Sequence, residues 1–355
     1  MTNESVLAEL RQQHLPLWLW GCGNVAHEVY ALLRAHGIGI AGCFVDAGRK
    51  GGGFEGKPVV SMEELFREVH GRGINVLMAH AQYHRKKELA AYPAVQHVYC
   101  LPNPFRTHED ISEAYVEAHR AAFDRAYRLF DEPLSQRVFR AYLAARTKGD
   151  LDAVCDAFTR PMTYFDNDVW TLSDHESLID CGAYDGDTIR SFLQAVGAKF
   201  SRIDAFEPDA AIFRTLSANV AALPSSERIH LHQTGLWNEN TVLRFAPDAE
   251  QSGFAVESPE PGREDAHAIE VCRLDDVITH PVTLLKVCMS GSNKECLEGA
   301  AQLVARDRPK IAVTVGVTRE RLWQIPLLLH ELQPRYHFFL RFLESMPSRI
   351  CLFCQ

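Results

Sequence analysis

The sequence has no apolar run close to the roughly 18–20 residues that a helix needs to span a bilayer. Its first ten residues, MTNESVLAEL, are acidic and amphipathic and lack the basic and apolar regions of a secretory signal. The net charge is −9, from 37 Lys and Arg against 46 Asp and Glu, without a block of like charges. These absences predict a cytoplasmic protein with neither a membrane nor a nucleic acid as partner.

The sequence also lacks the cysteine spacing of a disulfide framework or a metal site. Its ten cysteines are scattered, and without a secretion signal we expect them to be reduced thiols. The C-x-x-C pair, Cys351 and Cys354, lies in the apolar stretch RICLFC. Residues three apart on a strand point to opposite faces, so this pair is unsuited to joint metal ligation. We therefore predict no metal.

The length of 355 residues favours two domains over one. A hydrophobic content of 46% with 23% charged residues is ordinary for a globular protein. The hydrophobic patterns predict an α/β protein with a Rossmann-like domain over residues 1–105, a helical connector over 106–161 and a second α/β domain over 162–355.

The N-terminal region begins with a β-α-β pattern. The apolar run Leu15–Trp20 leads into GCG and a helix, and the next apolar run ends at Asp46, where a ribose-binding acid would lie. His80, Tyr83 and His84 follow a later strand and could also contact a ligand. Two interpretations remain open: a site for a nucleotide or nucleotide-sugar, or a Rossmann-like scaffold that binds nothing.

The most informative stretch is Ser177–Ser191, which reads SLIDCGAYDGDTIRS. A short apolar run ends at Asp180, and Gly182 and Gly186 follow. Apolar residues then recur at i, i+3, i+4 and i+7, which is one face of a helix. This order of strand, glycine loop and helix places backbone N–H groups and a helix N-terminus beside an open cleft.

An acid follows the next predicted strand, as dinucleotide and nucleoside sites require. The run Ile203–Phe206 ends in Glu207–Pro208, and a carboxylate there can accept hydrogen bonds from both ribose hydroxyls. The loop itself carries Asp180, Asp185 and Asp187, which would repel a pyrophosphate. A cofactor with a cationic amine, a sulfonium and a ribose fits better, and S-adenosylmethionine has all three.

These residues resemble motif I of class I methyltransferases, and specifically the FkbM family. The resemblance runs through LIDCGAYDGDT, AFEPD, RLDDVI, LLK and LEGAA, from about residue 162 to the C-terminus. It implies a seven-stranded class I methyltransferase domain, S-adenosylmethionine as cofactor, and O-methylation of a hydroxyl on a sugar or small molecule. The cofactor-binding residues that it implies are Asp180, Gly182, Ala183, Tyr184, Asp185, Gly186, Asp187, Thr188, Glu207 and Pro208.

The substrate side departs from the family pattern. FkbM enzymes carry K-x-D-x-E-G-x-E after the fourth strand, whereas this chain reads KVCMSGSN. Lys286 and the glycine remain, and Cys288, Ser290 and Asn293 replace the three acids. The substrate-side candidates are therefore Lys286, Cys288 and Ser290, and the catalytic residue remains unknown.

Later motifs of the family are also changed, and two explanations remain open. Gly316–Val317, Arg321 and Arg341–Phe342 stand where the family has a Tyr-His pair, an acid and an Arg-His pair. Either the protein methylates a nucleophile that is already weakly acidic, such as a thiol, phenol or hydroxamate, or it keeps the fold without catalysis. In the second case it would be a cofactor-, nucleotide-sugar- or partner-binding subunit. A homo-oligomer also stays open.

Overall fold

The computed structural model describes residues 2–46, 53–69, 72–105, 109–197, 199–223, 225–245, 267–289 and 291–355. These residues form two compact units. Unit 1 comprises Met1–Ala118, Arg137–Pro161 and Phe342–Ile350, and unit 2 comprises His119–Gln136, Met162–Arg341 and Cys351–Gln355. The segment predicted as a connector is thus divided between the two units, and the domain boundaries proposed from the sequence stay predictions.

The helices and strands alternate along most of the chain. The α-helices are α1 (Asn3–Gln12), α2 (Asn24–Ala35), α3 (Met62–Glu68), α4 (Glu113–Ala118), α5 (Arg120–Tyr127), α6 (Pro133–Lys148), α7 (Leu151–Ala157), α8 (Asp187–Val196), α9 (Ala210–Ala221), α10 (Leu274–Val277), α11 (Asn293–Glu298), α12 (Ala301–Asp307) and α13 (Arg321–Leu332). The strands are β1 (Leu17–Trp20), β2 (Gly42–Val45), β3 (Val59–Ser61), β4 (Ile74–Met78), β5 (Val95–Tyr99), β6 (Ser177–Cys181), β7 (Arg202–Phe206), β8 (Ile229–His232), β9 (Gly235–Leu236), β10 (Thr241–Phe245), β11 (His267–Cys272), β12 (Leu284–Val287), β13 (Lys310–Thr314), β14 (Phe338–Phe342) and β15 (Ile350–Cys354). Short 3-10 helices cover Tyr83–Ala91 and Ser226–Arg228.

Unit 1 is built on a parallel five-stranded sheet in the order β3-β2-β1-β4-β5. Its two central strands read LWLW and INVLM and are almost entirely buried, as expected of a parallel sheet covered on both faces. Trp20 of β1 stacks on Phe44 of β2, with ring centres 5.8 Å apart. A capping box between Ser61 and Glu64 begins α3. The predicted Rossmann-like architecture is confirmed.

Unit 2 contains a seven-stranded sheet in the order β14-β15-β13-β12-β6-β7-β8. The strands from β13 to β8 run parallel, and β15 runs antiparallel to β13. The backbones of His337 and Gln355 exchange two hydrogen bonds, of 2.9 and 3.2 Å, at the open end of the β14–β15 hairpin. The seven predicted strands and the closing hairpin are therefore confirmed.

In unit 2, hydrogen bonds connect the RLDDVI stretch to the LEGAA stretch and to the residues that follow it. The Asp275 carboxylate accepts hydrogen bonds from the N–H groups of Gln302 and Leu303 in the first turn of α12, at 3.1 and 2.9 Å. The Asp275 N–H in turn donates to the carbonyl oxygen of Gly299 at 3.0 Å. These hydrogen bonds lie between the end of α11, at Glu298, and the start of α12, at Ala301.

The segment between the two sheets is helical, as predicted, and comprises α4 to α7. Phe123, Ala126 and Phe130 form a buried stripe in the part that belongs to unit 2. No helix in the described ranges combines the length and the apolar character that crossing a membrane requires.

Candidate cofactor site

The glycine loop connects the carboxyl end of β6 to the N-terminus of α8. At Gly182 φ is +80°, and a Cβ there would lie 2.4 Å from the carbonyl oxygen of Cys288, just beyond β12. The N–H groups of Gly182 and of the buried Ala183 both donate to the carbonyl oxygen of the last residue of β7. Tyr184 and Gly186 also have left-handed backbone, with φ of +49° and +86°. The loop therefore turns tightly against the ends of the two neighbouring strands.

Glu207 lies at the carboxyl end of β7 and is 6% exposed. Its Oε2 accepts a hydrogen bond from the Tyr184 N–H at 3.1 Å, and its Oε1 accepts one from the Asp209 N–H at 3.0 Å. Burial raises the pKa of Glu207, and these two backbone donors oppose the rise. Each carboxylate oxygen keeps a second acceptor position, because only one is used by the backbone. Pro208 follows, half-buried.

Asp180 forms a buried ion pair with Lys286 of β12. The Lys286 Nζ lies 2.9 Å from the Asp180 Oδ1, and neither side chain is more than 3% exposed. Burial alone would lower the pKa of Lys286, but the charge of Asp180 outweighs it and raises that pKa above its ordinary value. Burial also raises the pKa of Asp180. The other oxygen, Oδ2, is buried and has no hydrogen-bond partner among the described residues.

A second acid of the loop is also paired with a cation. The Arg190 Nη2 lies 3.1 Å from the Asp185 Oδ1, while the Asp185 carbonyl oxygen accepts from the Asn219 side chain at 2.8 Å. The Asp187 carboxylate accepts from the N–H of Thr188, which is buried. The expectation that all three loop acids are free charges is therefore wrong for Asp180 and Asp185, which are both ion-paired. The remaining acidic character of the loop comes from Asp187 together with Glu207.

The two substrate-side candidates that the structure describes, Lys286 and Cys288, lie in different surroundings. The Lys286 ammonium pairs with Asp180 and also donates to the Gly182 carbonyl oxygen of the glycine loop at 2.9 Å. Cys288 is half-buried at the end of β12, and its N–H donates to the Cys181 carbonyl oxygen at 3.1 Å. Ser290 lies outside the described residues.

Asn293 is fully buried and replaces an acid of the family pattern. Its Oδ1 accepts from the Met289 N–H at 2.8 Å, and its Nδ2 donates to the Thr314 carbonyl oxygen at 2.9 Å. Arg321, 3% exposed, donates to the Met289 carbonyl oxygen at 3.1 Å. These side chains tie the segment after β12 to the end of β13 and to α13.

Arg341, the remaining residue of the Arg-His pair, is a structural anchor. Its guanidinium is 3% exposed and donates to Glu132, to Asp168 at 2.8 Å and to the Ser135 hydroxyl at 3.2 Å. The two carboxylates raise its pKa, although burial opposes them. Its donors are therefore used within the fold.

In unit 1, Asp46, the acid predicted to bind a ribose, is already paired with an arginine. Both oxygens of Asp46 accept hydrogen bonds from Arg85, at 2.8 and 3.2 Å, and this arginine holds the pKa of Asp46 below its usual value. The guanidinium also lies 4.8 Å from the ring centre of Trp20. This arrangement agrees better with the scaffold interpretation than with ribose binding through Asp46.

The polar residues after β4 are also tied to the fold of unit 1. Tyr83 is fully buried and donates to a backbone carbonyl oxygen at 2.9 Å, so its hydroxyl is used within the fold. The His84 Nδ1 lies 2.7 Å from the Ser345 hydroxyl. The His80 Nδ1 accepts from the Gln82 N–H at 3.2 Å, and burial lowers the pKa of His80 to about 4.

Sequence analysis missed the partners of the loop acids. Arg190 is five residues beyond Asp185, and Asn219 lies on the following helix, so no local pattern marks either of them. Tyr164 was likewise missed as a site residue, and its ring centre lies 5.7 Å from the Lys286 Nζ.

Comparison with known families decides the class of unit 2. Residues 180–350 match the family model described as Methyltransferase FkbM domain. Residues 180–350 are by this match assigned to the FkbM methyltransferase family. The match begins at Asp180 and includes Glu207 and Lys286, whose assignment to a cofactor stays a prediction.

A solved structure shows the same fold over nearly the whole chain. A crystal structure of methyltransferase FkbM from Methylobacillus flagellatus KT aligns with a TM-score of 0.65 at 18% identity, covering 99% of this chain and 92% of that one. An rRNA methylase from Streptococcus thermophilus gives a TM-score of 0.34 at 15% identity over 52% of this chain and 87% of its own, which is too distant to support an inference. No curated protein matches the chain. The class I methyltransferase fold predicted from the sequence is confirmed.

Proposed function

We propose that the protein transfers a methyl group from S-adenosylmethionine to a small-molecule or saccharide acceptor. The observation that carries this proposal is the Asp180 Oδ2, a buried carboxylate oxygen without a hydrogen-bond partner among the described residues. Buried polar atoms are nearly always paired in native structures. The cationic amine of the cofactor provides the partner that this oxygen lacks.

A further feature matches the ribose of the cofactor. Glu207 retains one acceptor position on each oxygen, which suits the two hydroxyls of a ribose. At the start of α8, the N–H groups of Asp187 and Thr188 already donate to the Asp185 and Asp187 carboxylates, at 3.0 and 2.7 Å, so neither is assigned to the cofactor's carboxylate. The residues present therefore fit a ligand that carries an amine and a ribose.

When bound, the cofactor would supply an electrophilic methyl group, which the acceptor nucleophile attacks in line while the C–S bond breaks and S-adenosylhomocysteine is released. The chain contributes binding and orientation, which bring the two reactants into the geometry of attack. At two positions where the family carries acids, the described residues are Cys288 and Asn293, and the Asn293 amide is used within the fold. We therefore favour an acceptor hydroxyl that ionises readily, such as a phenol or hydroxamate, because it needs no strong base. The net charge of −9 favours a small acceptor over a nucleic acid.

Calorimetry with S-adenosylmethionine tests the proposal directly. We expect binding to the full chain, and loss of binding in Glu207→Ala, because that substitution removes both acceptor positions. Glu227→Ala is the matched control, since its carboxylate is 73% exposed and outside the site. Release of S-adenosylhomocysteine in the presence of phenols and hydroxamates then measures transfer. Absence of binding at millimolar cofactor contradicts the proposal.

A further inference from the structure

Lys286 lies beneath the glycine loop, although its motif belongs to the substrate side. Its Nζ is 2.9 Å from the Asp180 Oδ1, 2.9 Å from the Gly182 carbonyl oxygen and 3.5 Å from the Cys181 carbonyl oxygen. An ammonium has three donors and no acceptor, so these three oxygens match its capacity. Lys286 therefore joins the carboxylate at the end of β6 to the first glycine of the loop.

The Asp180–Lys286 pair lies in a buried environment, where an unpaired carboxylate would be unstable. Asp180 is fully buried, and burial disfavours the charged form of an acid. The other titratable groups near the pair include Asp187, Glu207, Cys181, Cys288, Cys351 and Tyr164. All of them are neutral or negative, so none stabilises a negative charge on Asp180. The ammonium of Lys286 offsets this cost directly.

We propose that Lys286 is a positioning residue for the cofactor, which keeps Asp180 ionised and occupies its Oδ1, so that Oδ2 remains for the cofactor's amine. This inference rests on the proposed function. Lys286 acts through Asp180 and the Gly182 carbonyl oxygen, and it neither contacts the acceptor nor removes a proton from it. The loss of acids at Cys288 and Asn293 therefore leaves this part of the family motif intact.

The pH dependence of cofactor affinity distinguishes this role from simple packing. In Lys286→Met the pKa of Asp180 rises, so a larger fraction is protonated at neutral pH and cannot bind a cationic amine as a carboxylate. Raising the pH ionises Asp180 again and restores affinity. The measured quantity is the ratio of the Kd of the variant to that of the wild type, for S-adenosylhomocysteine, from pH 6.5 to 9.5. Titration of the ligand's own amine cancels in this ratio.

We expect the Kd of Lys286→Met to be about 10- to 100-fold higher than that of the wild type at pH 6.5, the range expected when a hydrogen bond to a charged group is lost. This ratio should fall towards one as the pH rises. Asp180→Asn should weaken binding at high pH as well, since it cannot ionise. Lys310→Met is the matched control: its ammonium pairs with Glu176 at 2.7 Å in the same sheet and does not contact the loop. Its ratio should stay near one at every pH.

A Lys286→Met ratio that is near one throughout, or large and independent of pH, overturns the inference. If that variant fails to fold, Lys286→Arg replaces it: a ratio within about threefold at pH 7 supports a role of the charge, and a loss as large as that of Asp180→Asn contradicts it. Absence of binding by the wild type at every pH instead contradicts the proposed function.

Discussion

Replacing Gly182 with alanine tests whether the loop is fixed by its approach to β12. An L-residue in left-handed backbone costs about 1–2 kcal/mol. The added Cβ would also lie 2.4 Å from the carbonyl oxygen of Cys288 and 3.1 Å from the Met289 side chain. The carbonyl belongs to the backbone and cannot rotate away, so the segment after β12 must move. Such overpacking costs about 1–3 kcal/mol more, which gives a total of about 2–5 kcal/mol.

Gly186→Ala separates the two contributions. Gly186 has a similar φ of +86°, but its nearest neighbour is the flexible end of the Leu216 side chain, at 3.2 Å. It should therefore show little more than the conformational cost. By thermal unfolding followed with circular dichroism, Gly182→Ala should lower the Tm by at least about 2 °C more than Gly186→Ala, since 1 kcal/mol corresponds to about 2–4 °C in a domain of this size. Equal changes in Tm for the two variants would refute the reasoning.

Three further predictions concern polar groups in the interior of unit 2. Burial opposes ionisation of Asp204, but its hydrogen bond with His232 and its pairing with a neighbouring arginine hold its pKa at about 2, below the ordinary 3.8. Its contribution to stability is thus present above about pH 4 and lost as the pH falls to about 2. Asp204→Asn should therefore flatten the dependence of Tm on pH in this range. A dependence parallel to that of the wild type would contradict the assignment. Arg341→Met removes a buried guanidinium bound to two carboxylates and should cost about 1.5–3 kcal/mol in urea unfolding; an unchanged free energy of unfolding would show that the network is dispensable. Asn293→Ala removes a fully buried amide and leaves the N–H of the half-buried Met289 without its acceptor, which should cost about 1–3 kcal/mol. A neutral result would mean that water replaces the amide.

The sequence predicts those features that depend on short-range spacing. The run before Asp180, the two glycines and the periodic helix lie within residues 177–196, so their pattern predicts β6, the loop and α8 directly. Glu207 follows from the same reasoning applied to the next strand. The alternation of strands and helices also predicts an α/β sheet in unit 2, although it does not give the order of the strands.

Partners that are distant in sequence could not be predicted in this way. Lys286 and Asp180 are 106 residues apart, and Arg341 and Glu132 are 209 residues apart. Nothing in a local pattern shows that these charges neutralise each other, so the electrostatic argument counted too many free acids in the loop. The break between α11 and α12 also involves a remote residue, because Asp275 is hydrogen-bonded to the end of one helix and to the start of the next.

The position of β15 has a consequence for the order in which unit 2 assembles. This strand follows all others of its sheet along the chain, yet it lies in the interior, between β13 and β14. During synthesis, β13 therefore presents an unpaired edge until residues 350–354 have left the ribosome. Unpaired edges of this kind invite association between chains. A nascent polypeptide stalled shortly before residue 350 should consequently be a strong client for chaperones, whereas one released beyond it should complete the sheet on its own.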